Sequence, residues 1–293
     1  MSSLLKIFKY KWKTYRHRFV PWIVFNLRKN ERSVRQVTER SKDRLVSDEE
    51  VSKTLIRFFR ALLRNDLARQ GEVLRLLSTS TQIRYLSPED NERPEKGEPG
   101  REHRRPMETM LNTTGFYIER KPSSLPFAGT GVFVTRGMVP KGTTVAMYPG
   151  TIYQTFEPIL FQSIWNPFIF RCIDFILIDG NDKGISKMIY RSCSGRDRIG
   201  PFGLCDATWL TANPKNPLAV GQYVNNCSKD RAANVYYQEY EVPEEFPLEL
   251  RQYLPNVNYR HDTQRTLRCV VLVALRDIHP GEELFSNYFT IVN

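Results

Sequence analysis

The spacing of hydrophobic and polar positions changes along the chain, and the change divides it. In the first third, apolar residues recur every three or four positions, the step of one helical face. Phe8, Trp12, Tyr15, Phe19 and Trp22 keep that step until Pro21 interrupts it. Ser47-Asp48-Glu49-Glu50 reads as a capping box, in which hydroxyl and carboxylate satisfy each other's orphan backbone donors. The helix it opens carries Val51, Leu55, Ile56, Phe59, Leu62, Leu63 and Leu67 on one stripe. A second helical piece is predicted after Gln70-Gly71, with Val73, Leu74, Leu76 and Leu77. From Ser87 to Pro106 no large apolar residue occurs, which predicts a linker or flexible loop.

Beyond that stretch the period becomes strand-like. Phe116 to Ile118, Gly131 to Val134 and Thr143 to Tyr148 are short β-type runs set between Gly and Pro, and Asn234 to Tyr237 follows after Ser228. Cys269 to Ala274 reads as a buried strand. Phe175 to Asp179 reads as a strand, with Asp179-Gly180 and Asn181 as hairpin signals, and Ser192 to Pro201 as a polar loop. Asp277 to Gly281 is a turn into a last apolar-aromatic run, Leu284 to Phe289. The expected organisation is a basic helical accessory region over residues 1–86, a linker over 87–106, and a mainly β domain over 115–293 with an insert at about 151–220.

Charge sharpens the division. Residues 1–110 hold 25 Lys and Arg against 15 Asp and Glu, and the remainder holds 18 against 17, so attraction to an acidic partner belongs to the N-terminal third. Residues 1–30 alone carry eight basic residues and no acid. Three readings stay open for them: a helix docked on the core, a mitochondrial presequence, or a surface for nucleic acid or anionic lipid. The five cysteines form no C-x-x-C pair and the four histidines no ligand spacing, so a disulfide frame and a metal site are not expected. No apolar run is long enough to span a membrane, and the start is too aromatic and basic for a secretory signal. An intracellular protein is expected, nuclear or cytoplasmic in preference to mitochondrial.

Two stretches concentrate the candidate chemistry. Gly221 to Ser228 reads GQYVNNCS, an aromatic-aliphatic step into two adjacent amides, Asn225 and Asn226. Such a pair offers donors and acceptors to a polar ligand, and equally caps a turn. Gly281 to Tyr288 reads GEELFSNY. Upstream, Gly129-Thr130-Gly131 precedes a strand; two glycines there suit either a tight turn or a backbone that a ligand must approach. Tyr148 before Pro149-Gly150, taken alone, suits a packed core tyrosine with one hydrogen bond.

Together these segments resemble the signatures of the SET-domain lysine methyltransferases. Gln222 to Ser228 is similar to the family's R-F-I-N-H-S-C, and Gly281, Glu282, Glu283, Leu284 and Tyr288 match its G-E-E-L-x-x-x-Y in full. The G-x-G, strand, turn at Val139 to Gly142 and Tyr148-Pro149-Gly150 follow in the family's order, and Asp179 stands where the family has an Asp. The resemblance covers roughly Gly115 onward. It implies a mainly β SET-type fold of short sheets with a C-terminal pseudoknot, binding S-adenosyl-L-methionine and methylating a lysine of a protein substrate. It further implies Tyr288 as catalytic residue, Gly129, Thr130, Gly131, Asn225, Asn226 and Tyr288 around the cofactor, and Tyr148, Tyr223 and Ser286 along the substrate channel.

Three departures from the pattern stand out. The family histidine is Asn226, and Ser-Cys is reversed as Cys227-Ser228. Ser286 occupies a position that is commonly Phe or Tyr, which leaves room near the amine and bears on how many methyls are added. Five residues follow Tyr288, too few for the family's zinc-binding cysteine segment, so the N-terminal region or the insert is expected to close the site. A non-catalytic SET-like module that binds a protein partner is the alternative from another class.

Overall fold

A computed structural model of the chain describes residues 16–17, 35–37, 44–66, 101–199, 202–261 and 266–292. In chain order the elements are β1 (Arg16–His17), β2 (Arg35–Val37), α1 (Asp48–Asn65), α2 (Arg101–Thr114), β3 (Phe116–Pro122), β4 (Thr130–Gly137), β5 (Thr144–Tyr148), β6 (Gly150–Tyr153) and α3 (Leu160–Ser163). They continue with β7 (Ile169–Arg171), β8 (Leu177–Asp179), α4 (Gly184–Arg196), β9 (Arg198–Ile199), β10 (Phe202–Gly203) and β11 (Asn225–Asn226). The last are β12 (Val235–Val242), β13 (Asn256–Asn258), β14 (Leu267–Ala274), β15 (Phe285–Ser286) and β16 (Phe289–Val292).

Helix α1 begins where the capping box places it. Ser47 Oγ accepts from the Glu50 amide at 3.2 Å, and three acids in the first turn complement the helix dipole. Its buried face is Val51, Leu55, Phe58, Phe59, Leu62 and Leu63. Phe58 joins that face while Ile56 is only half-buried, and the helix ends before Leu67, which lies outside the described residues. The Phe59 ring sits 5.6 Å from that of Tyr253 and 6.3 Å from that of Phe246. Ser52 Oγ and Tyr240 Oη share a 2.7 Å hydrogen bond. The buried Gln238 amide accepts from Leu45 N at 2.9 Å and donates to Val46 O at 2.7 Å. The accessory helix therefore shares one core with the strands.

Several sequence expectations need correction. Helix α2 starts at Arg101, so the last six residues of the stretch read as a linker are helical. Lack of apolar residues marks a solvated segment but does not separate a loop from a solvated helical turn; Thr109 and Met110 anchor α2 further on. Likewise α4 runs to Arg196 through the first half of the expected Ser192–Pro201 loop, held by buried Ser186, Tyr190 and Cys193. Asp179-Gly180 leads into α4 rather than a hairpin: the Asp179 carboxylate accepts from Asn181 N at 3.1 Å, a turn stabilised by its own side chain. The hairpin is instead β7–β8. Within the N-terminal stretch read as helical, Arg16–His17 is a strand, because the C-terminal strand offers it unpaired backbone groups. The remainder of residues 1–30, and the helical piece after Gln70, lie outside the described residues.

The central sheet has the order β11-β15-β12-β14-β5. Strand β14 lies between β12 and β5, which explains its unbroken apolar run from Cys269 to Ala274. A second sheet, β13-β6-β8-β7, carries part of the insert, and β3 pairs with β4. Two C-terminal features position the site. Short β15 pairs in parallel with β11, Asn225 opposite Phe285 and Asn226 opposite Ser286, across about 60 intervening residues. Just beyond it, β16 is the middle strand between β1 and β2.

Candidate functional site

The pairing of β11 with β15 brings the two signature segments together. Cys227 N donates to Ser286 O at 2.8 Å, and Asn226 Oδ1 accepts from Tyr288 N at 3.0 Å. Buried Asn234 fixes the same segment: its side chain donates to Glu283 O and accepts from Phe285 N, each at 2.8 Å. With its backbone so held, Tyr288 donates its hydroxyl to Val224 O at 2.6 Å. Burial is the first cause, and Cys227 the second, that holds the Tyr288 phenol well above the usual tyrosine range. It is a neutral hydrogen-bond donor at physiological pH.

Around Tyr288 the rings are continuous. Tyr237 lies 6.4 Å from it, 6.1 Å from Tyr148 and 5.2 Å from Phe170. The Tyr237 hydroxyl reaches Val224 O at 3.3 Å, so two phenols meet one carbonyl. Tyr148 is fully buried and donates to Phe168 O at 2.7 Å, and burial raises its pKa. Tyr223 stands farther out, with its ring 5.9 Å from Phe168, Arg120 over its face at 5.3 Å, and its hydroxyl on Asp182 at 2.6 Å. Burial, and then the Asp182 hydrogen bond, push its pKa up to about 12. Ser286 is fully buried, and its Oγ has no hydrogen-bond partner among the described residues.

The glycines divide in function. Gly129 has φ +70° and open space where a Cβ would project. At Gly131 that space is filled by the Glu283 carboxylate, whose Cδ lies 2.8 Å from the Cβ position. Here the close approach is to the protein itself. Glu283 Oε1 accepts from Ser123 Oγ at 2.7 Å, and Oε2 from Ser124 N at 2.8 Å and Ser124 Oγ at 2.6 Å. Asn225 Nδ2 completes the cluster, within 3.1 Å of Ser123 Oγ and Thr130 O and 3.2 Å of Glu283 Oε1. Burial raises the Glu283 pKa, but hydrogen bonds from Ser124, Ser123 and Asn225 outweigh it and hold the carboxyl below its ordinary value.

Gly129 to Gly131, Asn225, Asn226, Ser286 and Tyr288 thus belong to one assembly, with Tyr148 inside the ring cluster and Tyr223 at its edge. Two contributors were not singled out from sequence. Tyr237 sits on a strand buried on both faces, where no alternation marks one tyrosine as special. Glu283 lies in a matched motif, yet nothing local shows that an acid beside Pro-Gly will be buried. Among the described residues, one group has metal-ligating atoms close together: Cys172, Asp174 and Glu239. Arg268 already bonds both carboxylates, at 2.9 and 2.7 Å.

The SET domain family model matches residues 129–289. The chain belongs to the SET-domain family, and its fold is a mainly β SET fold with an N-terminal helical addition. It is 56% identical over its whole length to SET domain-containing protein 9 of Homo sapiens, covering 99% of that protein. It is 57% identical to the Pongo abelii protein of the same name, over 89% of this chain and 97% of the relative. Solved structures aligned with it include KRYPTONITE in complex with mCHH DNA, H3(1-15) peptide and SAH. That match has TM-score 0.30 and 18% identity, over 59% of this chain and 23% of the other. A humanized mutant of Chaetomium thermophilum Polycomb Repressive Complex 2 aligns with TM-score 0.31 and 15% identity, over 58% and 15%. No described helix is long and apolar enough to cross a membrane.

Proposed function

We propose that the chain is an S-adenosyl-L-methionine-dependent protein-lysine methyltransferase. The observation that carries this reading is the Tyr288 hydroxyl held on the Val224 carbonyl inside a cluster of aromatic rings. The open face of Gly129 and the orphaned hydroxyl of Ser286 fit a cofactor beside that point. Gly129, Thr130 and the backbone of Asn225 and Asn226 would hold it. When bound, the cofactor supplies a methyl group on a sulfonium, an electrophile that a neutral amine can attack in line.

This chain's residues provide the surroundings for that attack. A lysine ammonium, pKa about 10.4, must first give its proton to water, and an aromatic-walled channel disfavours the charged form. Tyr148, Tyr223 and Tyr237 would form such walls, and Ser286 leaves space beside the amine. Tyr288, kept neutral by burial, orients groups by hydrogen bonding and does not act as the base. Held there, the cofactor would give its methyl group to the amine nitrogen and keep the carbon–sulfur electron pair on its sulfur, so the exchange would need no further reactant. Placing the reactants together is the main source of rate.

Tyr288→Phe tests the reading. It should retain the fold and cofactor affinity measured by calorimetry, and lose activity on a lysine peptide library by about 10²–10³-fold. Equal activity in parent and variant would remove Tyr288 from the mechanism. The parent's rate should rise toward alkaline pH as more of the amine is neutral. One observation favours a second reading, a non-catalytic partner-binding module: Asn226 replaces the family's histidine, and its carbonyl serves the Tyr288 backbone. That reading requires no turnover on any lysine substrate, with partner binding indifferent to Tyr288→Phe.

A further inference from the structure

Away from this site, α1 and α2 enclose a groove of about 1000 Å³. One wall is a row of cations on α1: Lys53, Arg57, Arg60 and Arg64, set four, three and four residues apart. That spacing keeps them on one face over about 16 Å of helix. The opposite face of α1 is buried in the core, so the row is presented on a rigid element. Asn65 Nδ2 bonds Thr109 Oγ1 at 2.7 Å and ties the two helices at one end. The other wall carries Asn112 and Thr113, the floor includes Ile56 and Ala61, and among the described residues no carboxylate lines the groove. Within it, Arg60 Nε is buried and has no hydrogen-bond partner among the described residues. Lys53 pairs with Glu49 at 3.1 Å, but both are exposed, a contact that contributes little.

We infer that this groove binds an acidic, extended peptide segment of a protein partner. The cations recur at about 4.5–6 Å, and alternate side chains of an extended strand recur at about 6.8 Å on one side. Three acids at every second position span about 13.6 Å, within reach of the long, flexible side chains of a cation row about 16 Å long. Amide and hydroxyl groups of Asn112 and Thr113 suit peptide backbone, and Ile56 and Ala61 suit the small side chains between acids. A single-stranded nucleic acid would bring the same charge, but among the described residues no aromatic side chain lines the groove for bases to stack on. The surface is separate from the methyl-transfer site, and its use does not depend on activity.

The test is fluorescence anisotropy with the full chain and a labelled peptide carrying three glutamates at alternate positions among glycines. Its all-glutamine counterpart serves as control. The glutamate peptide should bind at low ionic strength and weaken as salt rises, and the glutamine peptide should not bind. Arg57→Gln and Arg60→Gln together should lower affinity by about tenfold or more. Arg57→Gln alone, at an exposed helical position, should lower it several-fold without moving the melting temperature. Lys229→Gln, far along the chain, should change nothing. Absence of binding at about 1 mM protein would overturn the inference, as would equal binding by the Arg57→Gln variant. So would an Arg57-dependent affinity for single-stranded DNA or anionic vesicles that the glutamate peptide cannot displace.

Discussion

Replacing Gly131 by alanine separates two reasons for a glycine at that position. A ligand approaching the backbone and a carboxylate packed against it both exclude a Cβ, and the structure fills the space with Glu283. The added methyl group would force the carboxylate aside. Glu283 cannot swing away without loosening hydrogen bonds from Ser123, Ser124 and Asn225, all within 3.2 Å. Hydrogen bonds to a charged group contribute about 1.5–3 kcal/mol each, and partial loss of two sets the cost at about 2–4 kcal/mol. In a chain of this size that corresponds to a fall in melting temperature of about 5–10 °C. Differential scanning calorimetry, with urea unfolding as a cross-check, measures it without any ligand. A double-mutant cycle gives the decisive comparison. In a Glu283→Ala background the Cβ has room, so Gly131→Ala should cost at least about 1.5 kcal/mol less than in the parent. A substitution costing under about 0.5 kcal/mol, or one whose cost is the same in both backgrounds, would refute the reasoning. If stability were untouched while S-adenosyl-L-methionine affinity collapsed, the glycine would be there for the ligand instead.

Two further outcomes follow from the same assembly. Because the folded state holds the Glu283 carboxyl below its ordinary value, that group contributes stability above the unfolded pKa and loses it as pH falls through the folded one. The stability gap between parent and Glu283→Gln should therefore be widest near neutrality and shrink below about pH 4.5; a gap that widens on acidification would reverse the assignment. Strand β16 begins directly after Tyr288 and pairs with β2, Ile291 opposite Gln36. Gln36→Pro disturbs this three-residue ladder and should speed amide exchange in Phe289–Val292, with β14 protection unchanged. Unaltered exchange in β16 would show that the N-terminal strand does not hold it.

Local chemistry decided much of this molecule in advance. The capping box at Ser47, the apolar step along α1, the Gly-punctuated strands and the solid apolar run of β14 each depend on neighbours in sequence, so each was legible there. So were the two signature segments, since their residue types stand in a matching order. What needed the tertiary structure was everything set by residues far apart in the chain. Glu283 is exposed or buried according to what Ser123, Ser124 and Gly131 do about 150 residues earlier. Tyr237 becomes a contributor only when β12 lies beside β15 and its hydroxyl meets the Val224 carbonyl that Tyr288 also uses. The strand at Arg16–His17 lies within a helical pattern, yet its conformation is set by backbone groups at Phe289 and Thr290. Short-range periodicity reports which face of an element is apolar. It carries no information on which distant backbone will offer a hydrogen bond, and in this fold those long-range bonds assemble the site.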